Sequence, residues 1–251
     1  MNWKEKFLAA GIHLGLSAFI AALAAVLVFA VWYPYPYREI SGGRELFLLV
    51  VGVDVVLGPL ITLVIFNRKK PRAELARDLA VVVLIQLSAL CYGLWTVFIA
   101  RPVHLVFEID RFRVVHAVDI DETLLPKAPE GIRAMPLWGP SLLAVRPFKD
   151  SKESFDATMA ALSGADIGAR PDLWMAYSSA RAEVLKASKP VADLQKRFPE
   201  KAAELNAAVQ KTGRPAESLA YVPMVGRNIF WTVLVDPGTA DVVGFVPLDP
   251  F

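Results

Sequence analysis

Three uninterrupted apolar runs constrain this chain more than anything else in it. They cover about residues 7–31, 46–66 and 79–99, and each is long enough to cross a bilayer core, which takes about 20 apolar residues. A helix buried in a soluble core would carry polar residues along one side over that length, and these runs carry almost none. They are expected to span a membrane as helices. The other residues, 101–251, read as an ordinary soluble domain. Net charge divides at the same place, +3 before residue 101 and −1 after it. No basic face is left to suggest a nucleic-acid partner. The one cysteine, Cys91, lies inside the third run, so no intramolecular disulfide can form.

Orientation follows from the short connections. The segment "NRKKPRAELARD" between the second and third runs holds Arg68, Lys69, Lys70, Arg72 and Arg77, whereas only Arg38 and Arg44 separate the first two. Basic residues stay on the cytoplasmic side. The N-terminus is therefore expected in the cytoplasm, the first connection outside, and residues 101–251 outside as an extracytoplasmic domain. A cleaved leader, with Val28 and Ala30 as the small residues before the cut, is the competing reading of the first run. The apolar part of such a leader is usually about 7–15 residues, shorter than this run.

The first connection opens with "FAVWYPYPY". Trp32, Tyr33, Tyr35 and Tyr37 combine an apolar body with a polar tip, the chemistry that collects where hydrocarbon meets headgroups, and are expected at the membrane interface. Pro34 and Pro36 lack backbone N–H groups and end the helix as it leaves the bilayer. Gly42 and Gly43 let the chain turn back.

Within the runs, small residues recur at helical spacing: Gly11, Gly15, Ala18 and Ala22 form one stripe of the kind that allows close helix packing in lipid. It suits either the neighbouring spans or a foreign helix. In the second run, Asp54 is a carboxylate near mid-bilayer, where insertion costs about 2.5–3.5 kcal/mol. Ser88 and Tyr92 lie at a similar depth and are its expected donors. Gly52, Gly58 and Pro59 accompany it, and Pro59 is expected to kink the helix. Together with the stripe, these four residues make a candidate docking surface for a partner helix. His13 is expected to bond within the bundle.

The soluble half mixes strand and helix signals. "VHLVFEIDRFRVVHAVDI" reads as a strand or hairpin and "SLLAVRPF" as a strand. "KESFDATMAAL" behind Ser151, its expected N-cap, "PDLWMAYSSARAEVLKAS" and "PEKAAELNAAVQKTG" read as helices, and "IFWTVLVDPGTADVVGFVPL" as two strands about a turn. Residues 120–140 read as a loop. Strands at both ends with helices between predict an α+β domain on an antiparallel sheet. The fold class is thus a membrane protein with three transmembrane helices before such a domain. Phosphate loops, nucleophile elbows and metal-protease motifs are missing. His104 and His116 come without a cysteine, so no zinc cluster is expected. Asp119-x-Asp121 with Glu122 reads as a solvated strand end, and Glu108, Asp110, Arg111 and Arg113 read as surface ion pairs. No catalytic residue, metal or cofactor is expected.

Three stretches, "FAVWYPYPY", "LLVVGVDVVLGPLITLVIF" and "QLSALCYGLWTVFIARPVHLVFEIDRFRVV", make the chain resemble the type IV pilin accessory proteins of the TfpX/TfpZ type. The resemblance is densest over residues 7–118. It implies an inner-membrane protein of a Gram-negative bacterium that assists its cognate type IV major pilin in assembly, stability or presentation, without catalysis. The partners implied are that pilin, membrane lipids and the pilus assembly machinery. Asp54, Gly58 and Pro59 fall in the matching second-helix motif, which assigns them no role. The alternative is a membrane-bound enzyme that modifies pilin by glycan or lipid transfer, using the 120–140 loop. A sensor would need larger cytoplasmic segments.

The topology yields a first prediction. Alkaline phosphatase fused after Phe251 is expected to be active in intact cells, and a cytosol-only fluorescent reporter at the same place is expected to stay dark. The reverse pattern removes the three-span arrangement.

Overall fold

The computed structural model describes residues 3–251, and the chain divides into two compact units, Met1–Ala100 and Arg101–Phe251. In the first unit, α1 (Trp3–Val26) runs on through a π-helical stretch, Leu27–Trp32. The single turn α2 (Tyr37–Ile40), then α3 (Gly43–Ile65) and α4 (Arg72–Ile99), complete it. The three long helices, of 30, 23 and 28 residues, reach about 45, 35 and 42 Å at about 1.5 Å per residue. Each exceeds a hydrocarbon core of about 30 Å. α3 is the central helix and packs along both α1 and α4. Gly42 starts it from a left-handed conformation, φ 68°, which glycine adopts without steric penalty.

The second unit is built on one eight-stranded sheet. Its strands are β1 (Pro102–Glu108), β2 (Arg111–His116), β3 (Ser141–Val145), β4 (Trp174–Ala176), β5 (Lys189–Pro190), β6 (Ala220–Val225), β7 (Phe230–Val235) and β8 (Val242–Val246). The order is β4-β3-β1-β2-β6-β7-β8, with β5 against β6. The sheet is mixed, not purely antiparallel as expected. The β1–β2 hairpin occupies its middle, and β3 and β6 add to the two open edges parallel to their neighbours. A parallel neighbour requires a long crossover, and residues 117–140 and 146–219 supply two. Helices α5 (Ser151–Leu162), α6 (Arg181–Ala187), α7 (Val191–Arg197) and α8 (Ala202–Lys211) lie in the second crossover. α7 and α8 bury Val191, Leu194, Leu205 and Val209 against Tyr221, Leu234 and Val246. A separate core joins Val103, Val106, Val115, Leu143 and Trp174.

Two local expectations are corrected. Residues 171–188 form a 3-10 turn, β4, a second 3-10 turn and α6 in place of one helix. The buried Trp174 donates its indole N–H to the Gly168 carbonyl (2.7 Å), and Leu173 accepts from the Arg146 N–H (2.8 Å), so the segment is drawn to the sheet edge. The cap of α5 is Asp150, whose side chain accepts from the Glu153 N–H. Glu153 in turn binds Arg146 through both carboxylate oxygens, at 2.8 and 2.9 Å. That contact, with the Lys149 N–H, lowers its pKa to about 2.

Glu108 is buried and its partner Arg113 half-buried, so the two are not the surface pair expected. The chain reverses at Ile109–Asp110, which sets Glu108 opposite Arg111 and on the same face as Arg113. The carboxylate, 5% exposed, accepts from Arg113 Nε at 2.7 Å and from the Gly168 N–H at 2.9 Å. A Cβ on residue 168 would sit 3.0 Å from that oxygen, so a glycine permits the approach.

His104 fixes the start of β1. Its Nε2 lies 2.9 Å from the Ala134 carbonyl, which can only accept, so Nε2 carries the proton and Nδ1 accepts from the Ser141 hydroxyl at 2.7 Å. Burial disfavours the imidazolium and lowers the pKa from 6.5 to about 4. The unfolded chain therefore binds the extra proton first. Stability is full above the unfolded pKa and is lost as pH falls from 6.5 toward 4, by about 2 kcal/mol between about pH 7 and pH 5. The urea midpoint of this unit, read by deuterium exchange of β1 peptides in the detergent-solubilised chain, is expected to drop over that interval. His104→Gln keeps one donor and one acceptor without the titration and is expected to lose the pH-dependent step.

Candidate functional site

Chemistry in the first unit centres on a polar contact between α3 and α4. Asp54 is half-buried, and the Gln86 amide donates to its carboxylate at 3.1 Å and to its backbone carbonyl at 3.2 Å. Ser88 and Tyr92, the donors expected from depth alone, are exposed; the donor is Gln86, which sequence reasoning missed. A glutamine inside the third apolar run was the available signal. Pro59 removes the N–H that would bond the Val55 carbonyl, so α3 loses a rung beside the residue whose carbonyl Gln86 bonds. Gly58 makes the contact possible: a Cβ there would collide with the Gln86 amide.

A second polar contact joins α1 to α3, where His13 Nδ1 lies 2.6 Å from the hydroxyl of the buried Thr62. A third lies where the first run ends. Tyr33 is fully enclosed and donates its hydroxyl to the Val97 carbonyl of α4 at 3.0 Å, while its ring lies against Gly43 of α3. One side chain from the end of the first helix thus touches the other two. Around it Phe29 meets Phe47 edge-on at 5.0 Å, and Trp32 meets Phe98 at 5.1 Å.

The aromatics of the first connection therefore divide. Tyr33 and Tyr37 are buried, Trp32 is half-buried, and Tyr35 is the exposed one. The small residues divide too. Gly58 and Pro59 are buried by internal packing, as are Gly43 and Gly93. Gly11, Gly15, Ala18 and Ala22 are exposed, and a Cβ on Gly11, Gly15 or Gly52 would meet nothing within 4 Å. The stripe on α1 is thus left open by α3 and α4. Beside Asp54 and Gln86, a groove of about 350 Å³ runs between α3 and α4, walled by Leu49, Val53, Leu57 and Tyr92.

In the second unit Asp119 and Asp121 are already engaged. Asp119 accepts from His116 Nδ1 at 3.1 Å and from Arg227 at 2.6 Å. Burial would raise its pKa, but the His116 ring and the Arg227 guanidinium hold it below the usual carboxylate range. Asp121 caps the 3-10 turn Glu122–Lys127 through the Thr123 N–H. Asp121 is thereby held in local structure, and Asp119 also ties the segment to Arg227, 108 residues further along the chain.

Three apolar helices long enough to cross a membrane, braced by polar contacts and followed by a mixed α/β unit, define a multi-span membrane protein with a folded C-terminal domain. Comparison with known proteins adds the family. The chain is 39% identical over 254 residues to the fimbrial assembly protein, serogroup I, of Dichelobacter nodosus, covering 99% of this chain and 98% of that relative. The serogroup E1 fimbrial assembly protein of the same organism is 38% identical over 254 residues, at 99% and 98% coverage. The protein of serogroups C1 and C2 is 45% identical over 129 residues, which is 50% of this chain and 98% of that relative. Residues 1–42 match the family described as fimbrial assembly protein FimB. No solved structure matches the chain. This chain belongs to the FimB family of fimbrial assembly proteins.

The Asp54 contact can be tested by a double-mutant cycle. Gly58→Ala places a methyl group against the Gln86 amide and is expected to destabilise the helices by about 1 kcal/mol, the scale of a hydrogen bond between membrane helices. In a Gln86→Ala background the same change is expected to cost close to nothing. Equal costs in both backgrounds, read from denaturing-detergent titrations, would show that Gly58 does not act through Gln86.

Proposed function

We propose that this protein is a non-enzymatic accessory factor in fimbrial assembly, of the TfpX/TfpZ type, that holds its cognate type IV major pilin ready for assembly. It sits in the bacterial inner membrane with its N-terminus in the cytoplasm and residues 101–251 in the periplasm. The basic segment Arg68–Arg77 supports that direction. Full-length relatives named as fimbrial assembly proteins support the process.

The observation that carries the docking role is the open face of α1. A pilin subunit waiting in the membrane presents an apolar helix with a head domain outside. In lipid two helices gain little from apolarity, because the acyl chains are equally apolar; they gain from close backbone approach over small residues. Gly11, Gly15, Ala18 and Ala22 offer that approach and are not occupied by α3 or α4. Gly52 and the groove beside Asp54 extend the available surface on α3, whereas Gly58 and Pro59 shape the helix that carries it. Tyr35 and Trp32 are the aromatics placed to meet the lipid boundary.

A photo-crosslinker at Ala18 is expected to capture the cognate pilin, and one at Leu84, exposed on α4, is expected to capture much less. The double variant Gly11→Leu, Gly15→Leu is expected to lose pilin co-purification while keeping normal protein level. A deletion strain is expected to lose surface pili and to make pilin of unchanged mass. Normal piliation sinks the role, and altered pilin mass shifts it to a modifying enzyme.

A further inference from the structure

Leu137 and Trp138, two large apolar side chains adjacent in sequence, are 56% and 72% exposed. The segment that carries them is not slack. Just before them Pro136 is buried, and Ala134 and Met135 pack against the core that contains Trp174. Just after them Gly139 turns at φ 44°, and Ser141 begins β3. Three hydrogen bonds hold the same segment: His104 to the Ala134 carbonyl and to the Ser141 hydroxyl, and the Arg101 guanidinium to the Pro136 carbonyl at 3.3 Å. The two apolar side chains are therefore held out by a braced loop.

Their place along the chain supplies the second half of the argument. Arg101, which holds Pro136, is two residues beyond Ile99, the end of α4. Two residues span about 7 Å at most. If α4 crosses the membrane, the Arg101 backbone is tethered close to the point of exit however the second unit is turned. Arg101 is 4% exposed, and its guanidinium donates to the loop. A tryptophan beside a leucine, close to a membrane exit, has the chemistry of an interfacial anchor: a flat apolar body with one N–H for the headgroups.

We propose that the 134–141 loop is a fourth membrane contact, with Leu137 and Trp138 seated at the boundary of headgroups and acyl chains. The partner is the lipid surface itself. The contact limits rotation of the second unit about the end of α4, so that whatever it presents faces a set direction. This inference rests on the reading that α4 spans a bilayer, and the test separates the two.

The full chain is placed in nanodiscs of phosphatidylethanolamine and phosphatidylglycerol with a spin label at one of three sites. The native Cys91, exposed in α4, reports the span. In a Cys91→Ala background, Trp138→Cys reports the loop, and Lys211→Cys on α8 reports water. At the loop site, collisions with a nickel chelate are expected to fall several-fold below those at 211, with collisions with oxygen raised. As a check on the native side chain, lipids brominated near the headgroup are expected to quench wild-type fluorescence more than that of Trp138→Phe. Water-like accessibility at 138 with Cys91 still in lipid, or equal quenching of both proteins, overturns the anchor and leaves the spans intact. A water-exposed Cys91 overturns both. Shielding at 138 that arises only when pilin is added assigns the loop to protein and overturns the lipid contact.

Discussion

A carboxyl group in the middle of an apolar helix needs a donor, and that need organises the first unit. Asp54 finds its donor in Gln86, and several sequence choices follow. Residue 58 must lack a side chain for the amide to come within reach, and α4 must place its one glutamine opposite that point. Lipid gives no hydrophobic gain for helix contact, so such bonds and close packing are what hold membrane helices together. Asp54–Gln86, His13–Thr62 and Tyr33–Val97 connect the three possible pairs of helices, and Lys6 adds a bond from α1 to the Val64 carbonyl of α3. The arrangement is lean, and it leaves most of the α1 surface free.

The same accounting explains which parts of this fold could be read from the amino acids. The three spans are legible because their signal is length alone, and α8 because Pro199 and Gly213 bracket it, the latter at φ 68°. β6 is not legible, because Pro223 stands in the middle of a strand inside the sheet, where proline ordinarily argues against pairing. On one edge of β6, β5 pairs with Ala220 and Tyr221 and β2 with Met224 and Val225, and Pro223 falls in the gap between them. The β1–β2 turn is hidden for a related reason. Ile109 adopts φ 58°, a conformation that turn signals assign to glycine or asparagine and that costs a β-branched residue on the order of 1–3 kcal/mol. Without a visible turn, Glu108 and Arg113 read as surface charges.

At the candidate site the limit was different. Residue type identified Asp54, Gly58 and Pro59 as special, but depth alone chose the wrong donors, because the angular position of Gln86 on α4 depends on how the helices pack. Small residues pose the same difficulty. Gly11 and Gly58 are indistinguishable as letters, yet one faces open space and the other is filled by an amide. Only the packing tells a free glycine from a used one.

That division bears on how a docking helix would be held. The polar groups with an evident role in binding across helices, Asp54, Gln86, His13 and Thr62, already serve the bundle, and the open stripe offers Gly11, Gly15, Ala18 and Ala22, none with a polar side chain. A helix seated there gains close packing and little else, so its hold is short-range and depends on shape. Even a side-chain hydrogen bond between membrane helices contributes only about 1 kcal/mol, and a grip without such bonds would release its occupant readily. On the docking role proposed above, the protein has to give up each subunit to the growing fibre, and a surface that held it by fit, with the polar groups turned inward, would meet that requirement.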